Sequence, residues 1–146
     1  MALSADVCVL LPALNEAATI TDVITSYQAA GFTNILVIDG GSSDGTRQTA
    51  EDAGATVITQ TGSGKGQAVR QAVAHIDAPY VLMVDADMTY RAADAEAVLE
   101  PLVDGEADHV IGDRFADMQP GAMTTLNKIG NRLFNRIFRV IYGENY

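Results

Sequence analysis

The chain has 146 residues, 48% of them hydrophobic, with 19 acidic side chains against 9 basic ones and a formal net charge of −10. That is one domain's worth of chain, long enough to bury a sizeable core. So acidic a balance excludes a general nucleic-acid binder, which carries a basic face, and it fits a protein adapted to a high-salt interior.

The first apolar run, Val7-Cys8-Val9-Leu10-Leu11, reads as a buried strand ended by Pro12. Its Cys8 is the only cysteine, so no disulfide framework exists and a reducing compartment with a packed core thiol is expected. Residues 1–14 lack a basic n-region and meet Asp6 at once, so no secretory signal is expected. Asn15 is placed to cap a helix from Glu16, with Ala17, Ile20, Val23, Ile24 and Tyr27 at helical spacing and Gly31 as the stop. Ile35–Ile38 is the second strand, ending at Asp39-Gly40-Gly41, and Ser42 or Ser43 opens a short helix that Gly54 closes.

Thr56–Thr59 is the third strand. Gly62-Ser63-Gly64-Lys65-Gly66 is a flexible loop leading into a helix to about Ile76. Val81–Val84 is the fourth strand, read as buried, with Asp85 and Asp87 where it runs out. A helix from about Ala92 to Leu102 follows, ended by Pro101, and His109–Gly112 is a fifth strand. No run approaches the roughly 18–20 apolar residues that span a bilayer. Strands alternating with helices predict an α/β fold: a mostly parallel sheet with helices on both faces and ligands at the carboxyl ends of the strands.

The polar clusters fall at those ends: Pro12 to Glu16, Asp39 to Thr46, Gly62 to Arg70, Asp85 to Tyr90, and Asp113-Arg114. Five strand ends delivering acids, a Lys, an Arg and glycine-rich turns to one rim favour a site over solvated loops. Side chains at i and i+2 of an extended chain share a face, so Asp85 and Asp87 project together past Ala86. Two carboxylates that close repel unless a cation sits between them. A hard divalent ion, Mg²⁺ or Mn²⁺, takes such ligands and is completed by substrate phosphates; the plainer reading is a solvated pair of turn acids. Asp39 can accept from a base imide or ribose hydroxyl. Lys65 can meet phosphate as a point charge, and Arg114 can grip phosphate with its fork or pair with Asp113 or Asp117. Asp44 and Thr46 read as helix-capping residues.

Two decoys resemble known motifs. Gly64-Lys65 suggests a phosphate-binding P-loop, but that pattern needs Gly at position 59 and Ser or Thr at position 66, where Thr59 and Gly66 stand. Asp85-Ala86-Asp87-Met88-Thr89 with Gly112-Asp113 and Asp117 resembles the first and last motifs of haloacid-dehalogenase-type phosphatases. The intervening Lys and Ser or Thr of that family have no counterpart, since no lysine occurs from Gly66 to Asn127 and no Ser or Thr from Tyr90 to Gln119.

Leu11-Pro12-Ala13-Leu14-Asn15-Glu16, Val37-Ile38-Asp39-Gly40-Gly41-Ser42-Ser43-Asp44-Gly45-Thr46, Gly64-Lys65-Gly66 and Asp85-Ala86-Asp87 together resemble family 2 glycosyltransferases of the GT-A (Rossmann-like) fold. Within that family the likeness is to polyprenyl-phosphate sugar synthases of the dolichyl-phosphate type, including those of archaeal protein N-glycosylation. The resemblance implies that Pro12, Asn15, Glu16 and Asp39 hold the nucleoside and that Lys65 lies near the base or phosphates. It implies that Asp85, Ala86 and Asp87 engage ribose, metal (Mg²⁺ or Mn²⁺) and diphosphate, and that Arg114 faces diphosphate or sugar. Gly40 stands where many members carry a second acid, and Thr89 where a Gln can assist the metal.

The expected activity is inverting, metal-dependent transfer of a hexose from a UDP- or GDP-hexose donor to a polyprenyl (dolichyl) phosphate, with Asp87 and Arg114 as catalytic residues. The alternatives are the phosphatase and a non-catalytic nucleotide-sugar-binding or membrane-docking module. Residues 1–119 read as the catalytic core. Residues 120–146 read as an amphipathic basic helix leading toward an acceptor-side or membrane segment beyond Tyr146. Leu126, Ile129, Leu133, Ile137, Val140 and Ile141 fall on one helical face, and Lys128, Arg132, Arg136 and Arg139 on the opposite one. That basic face suits an anionic membrane surface on the cytoplasmic side of the cell membrane, or else the solvated side of a docked helix.

Overall fold

The computed structural model describes residues 3–112. Asp113, Arg114 and the stretch from Lys128 to Arg139 lie outside them. The chain divides into two compact units, Met1–Val110 and Ile111–Tyr146, and the architecture below is that of the first.

Strands β1 (Val7–Ala13), β2 (Ile35–Asp39), β3 (Thr56–Thr59) and β4 (Tyr80–Met83) form one parallel sheet in the order β3-β2-β1-β4. Helices α1 (Ile20–Ala29), α2 (Thr46–Asp52), α3 (Lys65–Val73) and α4 (Ala95–Val103) connect or follow the strands. Strands are added outward from β1 to β3, then α3 carries the chain back to place β4 on the other side of β1. The strand order therefore reverses between β1 and β4, where open α/β sheets bind ligands.

β1 is buried on both faces because helices lie on both sides of it. Val7, Val9, Leu11 and Ala13 join Ile35 and Val37 against Ile20, Val23, Ile24 and Tyr27 of α1, with Ala95 and Leu99 of α4 in the same cluster. Those α1 residues follow the i, i+3, i+4, i+7 spacing of one apolar face. On the other face Cys8, Leu10, Leu36 and Ile38 meet Ala68 and Ala72 of α3. Small alanines let α3 sit close. Cys8 is the core thiol expected, its pKa raised by burial and partly offset by a hydrogen bond with the Leu36 backbone.

Several boundaries differ from the sequence reading. β1 continues through Pro12, which pairs with Ile38 of β2. The last β1–β4 pair is Leu10 with Met83. In a parallel ladder alternate residues bond to opposite neighbours, and the Val9 N–H bonds toward β2 while the Leu10 carbonyl accepts from Val84. The Pro12 nitrogen thus points to the side where the ladder with β4 has already ended, and no bond is lost. α1 starts at Ile20 rather than Glu16, because Asn15 takes φ 57° and Glu16 to Thr19 form a turn closed onto the Glu16 carbonyl. α2 starts at Thr46 because Gly45, at φ 93°, reverses the chain just before it. α4 is preceded by a 3-10 turn, Ala92–Asp94, and runs two residues past Pro101. His109–Gly112 forms no strand. Its apolar run is only Val110-Ile111, too short to hold a strand in register.

β4 is not buried on both faces. Leu82 and Val84 pack inward, whereas Val81 is 39% and Met83 49% exposed. Both share the face of their partners Cys8 and Leu10, but α3 lies over β1 and β2.

Candidate active site at the carboxyl ends of the strands

The loops after β1 and β2 are tied into one wall. The Asn15 N–H donates to Ser42 Oγ at 2.9 Å, and the Ser43 N–H donates to Asn15 Oδ1 at 2.9 Å. The Glu16 N–H donates to Thr46 Oγ1 at 2.8 Å, and the Ala17 N–H donates to Asp44 Oδ2 at 3.1 Å. The left-handed backbone of Asn15, which asparagine tolerates well, turns these amides toward the second loop.

Asp44 also accepts from the Thr46 N–H and hydroxyl. The Thr46 hydroxyl, then these backbone N–H groups, hold its carboxyl below the usual range against an opposing burial effect. Asp44 and Thr46 are therefore more than helix caps. The cap position itself is Gly45, with no side-chain cap bond.

Asp39 ends β2 and is 3% exposed. Its carboxylate accepts from the Gly41 and Ser42 N–H groups at 3.2 Å, which shapes the turn carrying Ser42 to Asn15. A carboxylate has about four acceptor sites, so these bonds leave capacity for a ligand hydroxyl or imide. Pro12 is half-buried beneath this wall, Glu16 half-buried and Asn15 exposed.

Across the β1–β4 gap, burial alternates beyond the end of β4. Val84 and Ala86 point into the core at 7% and 2% exposure, while Asp85 is half-buried and Asp87 exposed. The two carboxylates thus share the outer face, as the i, i+2 spacing predicts. Thr19 Oγ1 donates to the Ala86 carbonyl at 2.7 Å, joining the β1 loop to this turn. Asp87 Oδ1 accepts from the Thr89 N–H at 2.9 Å, which closes a turn through Met88 at φ 66°. The Thr89 hydroxyl first, then backbone N–H groups and finally the Lys65 charge hold the Asp87 carboxyl below its ordinary range, with burial opposing.

A cation stands beside one of the two carboxylates: Lys65, whose Nζ pairs with Asp85 Oδ1. Lys65 begins α3, and its loop is braced from both sides. Gln60 Nε2 donates to the Gly64 carbonyl at 2.9 Å, and Gln71 Oε1 accepts from the Thr61 N–H at 2.7 Å. Gly64 takes φ 91°, a left-handed conformation that favours glycine.

Among the described residues no three His, Cys, Asp or Glu side chains gather as a complete metal shell. Asp85 and Asp87 offer two hard oxygen donors on one face. That set fits Mg²⁺ or Mn²⁺ held by one or two carboxylates, with substrate phosphates and water as the remaining ligands.

Of the residues expected at the site, Pro12 and Asp39 end or nearly end their strands, Asn15, Glu16, Asp85, Ala86 and Asp87 lie just beyond strand ends, Lys65 opens α3, and Arg114 lies outside the described residues. The sequence reading missed Thr19, Ser42, Gln60 and Gln71 as braces. Only their small or amide side chains, sited beside the loops, signalled them.

The sequence matches the family model described as glycosyl transferase family 2 over residues 8–144. It is 64% identical over 141 residues to glycosyltransferase AglJ of Haloferax volcanii, covering 96% of this chain and 46% of that protein. It is 34% identical over 142 residues to a dolichyl-phosphate hexose transferase of the same organism, covering 94% of this chain and 60% of the relative. The chain thus spans about half the length of these relatives. Among solved structures, glucosyl-3-phosphoglycerate synthase from Mycobacterium tuberculosis, in complex with Mn²⁺, UDP-glucose and phosphoglyceric acid, superposes with a TM-score of 0.64 at 30% identity. That match covers 71% of this chain and 43% of the synthase chain.

Proposed function

This chain belongs to glycosyl transferase family 2, and on that premise we propose that it moves a hexose from a nucleotide-diphosphate donor to a polyprenyl phosphate. The observation that carries the reading is the meeting of Lys65 with Asp85 beside Asp87, at the point where the strand order reverses. One cation and two carboxylates on one rim suit a diphosphate and a divalent ion together. The sequence relationship to a dolichyl-phosphate hexose transferase supports the lipid-phosphate acceptor.

The wall of Asn15, Glu16 and Asp39 would hold the nucleoside, with Pro12 supporting it from below. Asp85 and Asp87 would hold Mg²⁺ or Mn²⁺, which when bound supplies Lewis-acid neutralisation of the leaving diphosphate. Lys65 places a positive charge near the same diphosphate, and Arg114 is assigned there by the family likeness. Fixed loops hold the anomeric carbon for in-line attack, which reduces the entropic part of the barrier. An acceptor phosphate oxygen forms the new bond to the anomeric carbon from the face opposite the leaving diphosphate. The bond from that carbon to the donor diphosphate breaks, and the nucleoside diphosphate leaves with the electron pair. A phosphate monoester has a second pKa of roughly 6, so it attacks as an anion at neutral pH without a general base.

Among the described residues no helix is long and apolar enough to cross a membrane. The proposed reaction places the chain at the cytoplasmic face of the cell membrane, with Lys128, Arg132, Arg136 and Arg139 toward anionic head groups. The test is transfer of labelled hexose from UDP- and GDP-hexoses to polyprenyl phosphate in detergent with Mg²⁺ or Mn²⁺. Extractable lipid-linked sugar from one donor supports the reading. Donor binding without transfer would instead favour a nucleotide-sugar-binding module that needs the rest of a longer protein.

A further inference from the structure

We infer that Lys65 is a placeholder for the divalent cation: its ammonium pairs with Asp85, one of the two carboxylates that would hold the ion, and must leave Asp85 as ion and diphosphate enter together. The Lys65–Asp85 pair is open to solvent, with side chains 54% and 36% exposed. An exposed pair of this kind contributes little to stability, so the fold does not depend on it. Lys65 also starts α3, where the helix dipole disfavours a cation. A lysine there is explained by what it meets across the rim: Asp85 pairs with it, and Asp87 lies near enough to feel its charge.

The surroundings allow the side chain to move. A Cβ added at Gly64 or Gly66 would meet nothing within 4 Å, so the space around the lysine is open. The backbone beneath is held by Gln60 and Gln71, which leaves side-chain rotation as the free motion. Two carboxylates and one ammonium sum to one negative charge. A divalent ion added alone must displace the ammonium or sit beside it. A diphosphate arriving with the ion gives the ammonium a new anionic partner and removes that competition. Ion and nucleotide should therefore bind cooperatively, each raising the other's affinity by the same factor.

This inference rests on the proposed function only for the identity of the ion and the phosphate. The experiment measures Mn²⁺ binding to the whole chain by electron paramagnetic resonance, without nucleotide and then with UDP or GDP. It compares the wild type, Lys65→Met and Lys65→Arg. Lys65→Met should bind Mn²⁺ alone about five-fold more tightly, the scale of one exposed ion pair. The nucleotide should enhance Mn²⁺ affinity less in that variant than in the wild type, and Lys65→Arg should behave as wild type. A gain of affinity is not an outcome that misfolding produces. Mn²⁺ affinity in Lys65→Met equal to or weaker than wild type overturns the placeholder. Tighter Mn²⁺ binding in Lys65→Met with no nucleotide binding in any protein keeps the placeholder and removes the nucleotide-sugar reading.

Discussion

The Thr46 hydroxyl accepts a hydrogen bond from the Glu16 N–H at 2.8 Å while its own side chain is wholly buried. One oxygen, at the first residue of α2, thereby sets the path of the chain between β1 and α1, thirty residues earlier. Thr46→Val keeps the shape and removes that acceptor, leaving a part-buried N–H unpaired. The expected cost is about 1–3 kcal/mol. Urea denaturation measures it, and Thr46→Ser should recover most of the loss. Nucleotide affinity should fall in Thr46→Val as well, because Asn15 and Glu16 lie on the loop it releases.

Asp44 gives the site a defined acid sensitivity. Its folded pKa lies below its unfolded value. The stabilisation from its bonds to Thr46 and Ala17 is then fully present above the unfolded pKa. It is lost as pH falls through the folded one. Asp87 is shifted in the same direction by Thr89 and adds to the trend. Denaturation midpoints measured from pH 5 downward should decline in the wild type and decline less steeply in Asp44→Asn. Parallel profiles would remove Asp44 from the account.

Met88 holds the Asp87 turn in the left-handed region at φ 66°, where a side chain costs roughly 1–2 kcal/mol. Met88→Gly relieves that strain but loses roughly 0.5–1 kcal/mol through greater freedom of the unfolded chain. Its thermal midpoint should match or slightly exceed that of the wild type. Met88→Val, β-branched in the same conformation, should lower it. Thermal unfolding followed by circular dichroism separates the two.

The basic residues near the end of the chain carry the membrane proposal. Lys128, Arg132, Arg136 and Arg139 lie where Glu144 is the only acid among the last twenty residues. Each could contribute about 1 kcal/mol toward an anionic surface, and less at high salt. The wild type should float with phosphatidylserine-containing vesicles at low salt, and a variant with Arg132→Glu, Arg136→Glu and Arg139→Glu should not. Equal flotation would leave this stretch without a membrane role.

The sheet was legible in the sequence because four apolar runs with helical spacings between them admit few other arrangements. Leu10 and Ile38 face one helix layer, and Val9 and Val37 the other. What the residues concealed was loop conformation. Asn15 reads as a helix cap, yet its positive φ and its side-chain bond to Ser43 make it a clasp between loops. The half-open β4 looked fully buried because Val81 and Met83 are as apolar as Leu82, and nothing local records which helix covers them. At the site, Asp85 and Asp87 were visible from their spacing. The pairing of Asp85 with Lys65 is a tertiary fact that the nineteen intervening residues do not encode locally. The phosphatase reading falls with the family match over residues 8–144.

The central claim is that the β1, β2 and β4 loops form a metal-dependent nucleotide-sugar site, and donor binding tests it most directly. Thermal stabilisation of the whole chain should be measured with UDP- and GDP-hexoses, with Mg²⁺ or Mn²⁺ and again with EDTA. One nucleotide class should raise the unfolding temperature only when the divalent ion is present, and Asp87→Ala should abolish the rise. No stabilisation by any donor, or stabilisation unchanged by EDTA and by Asp87→Ala, would contradict the account.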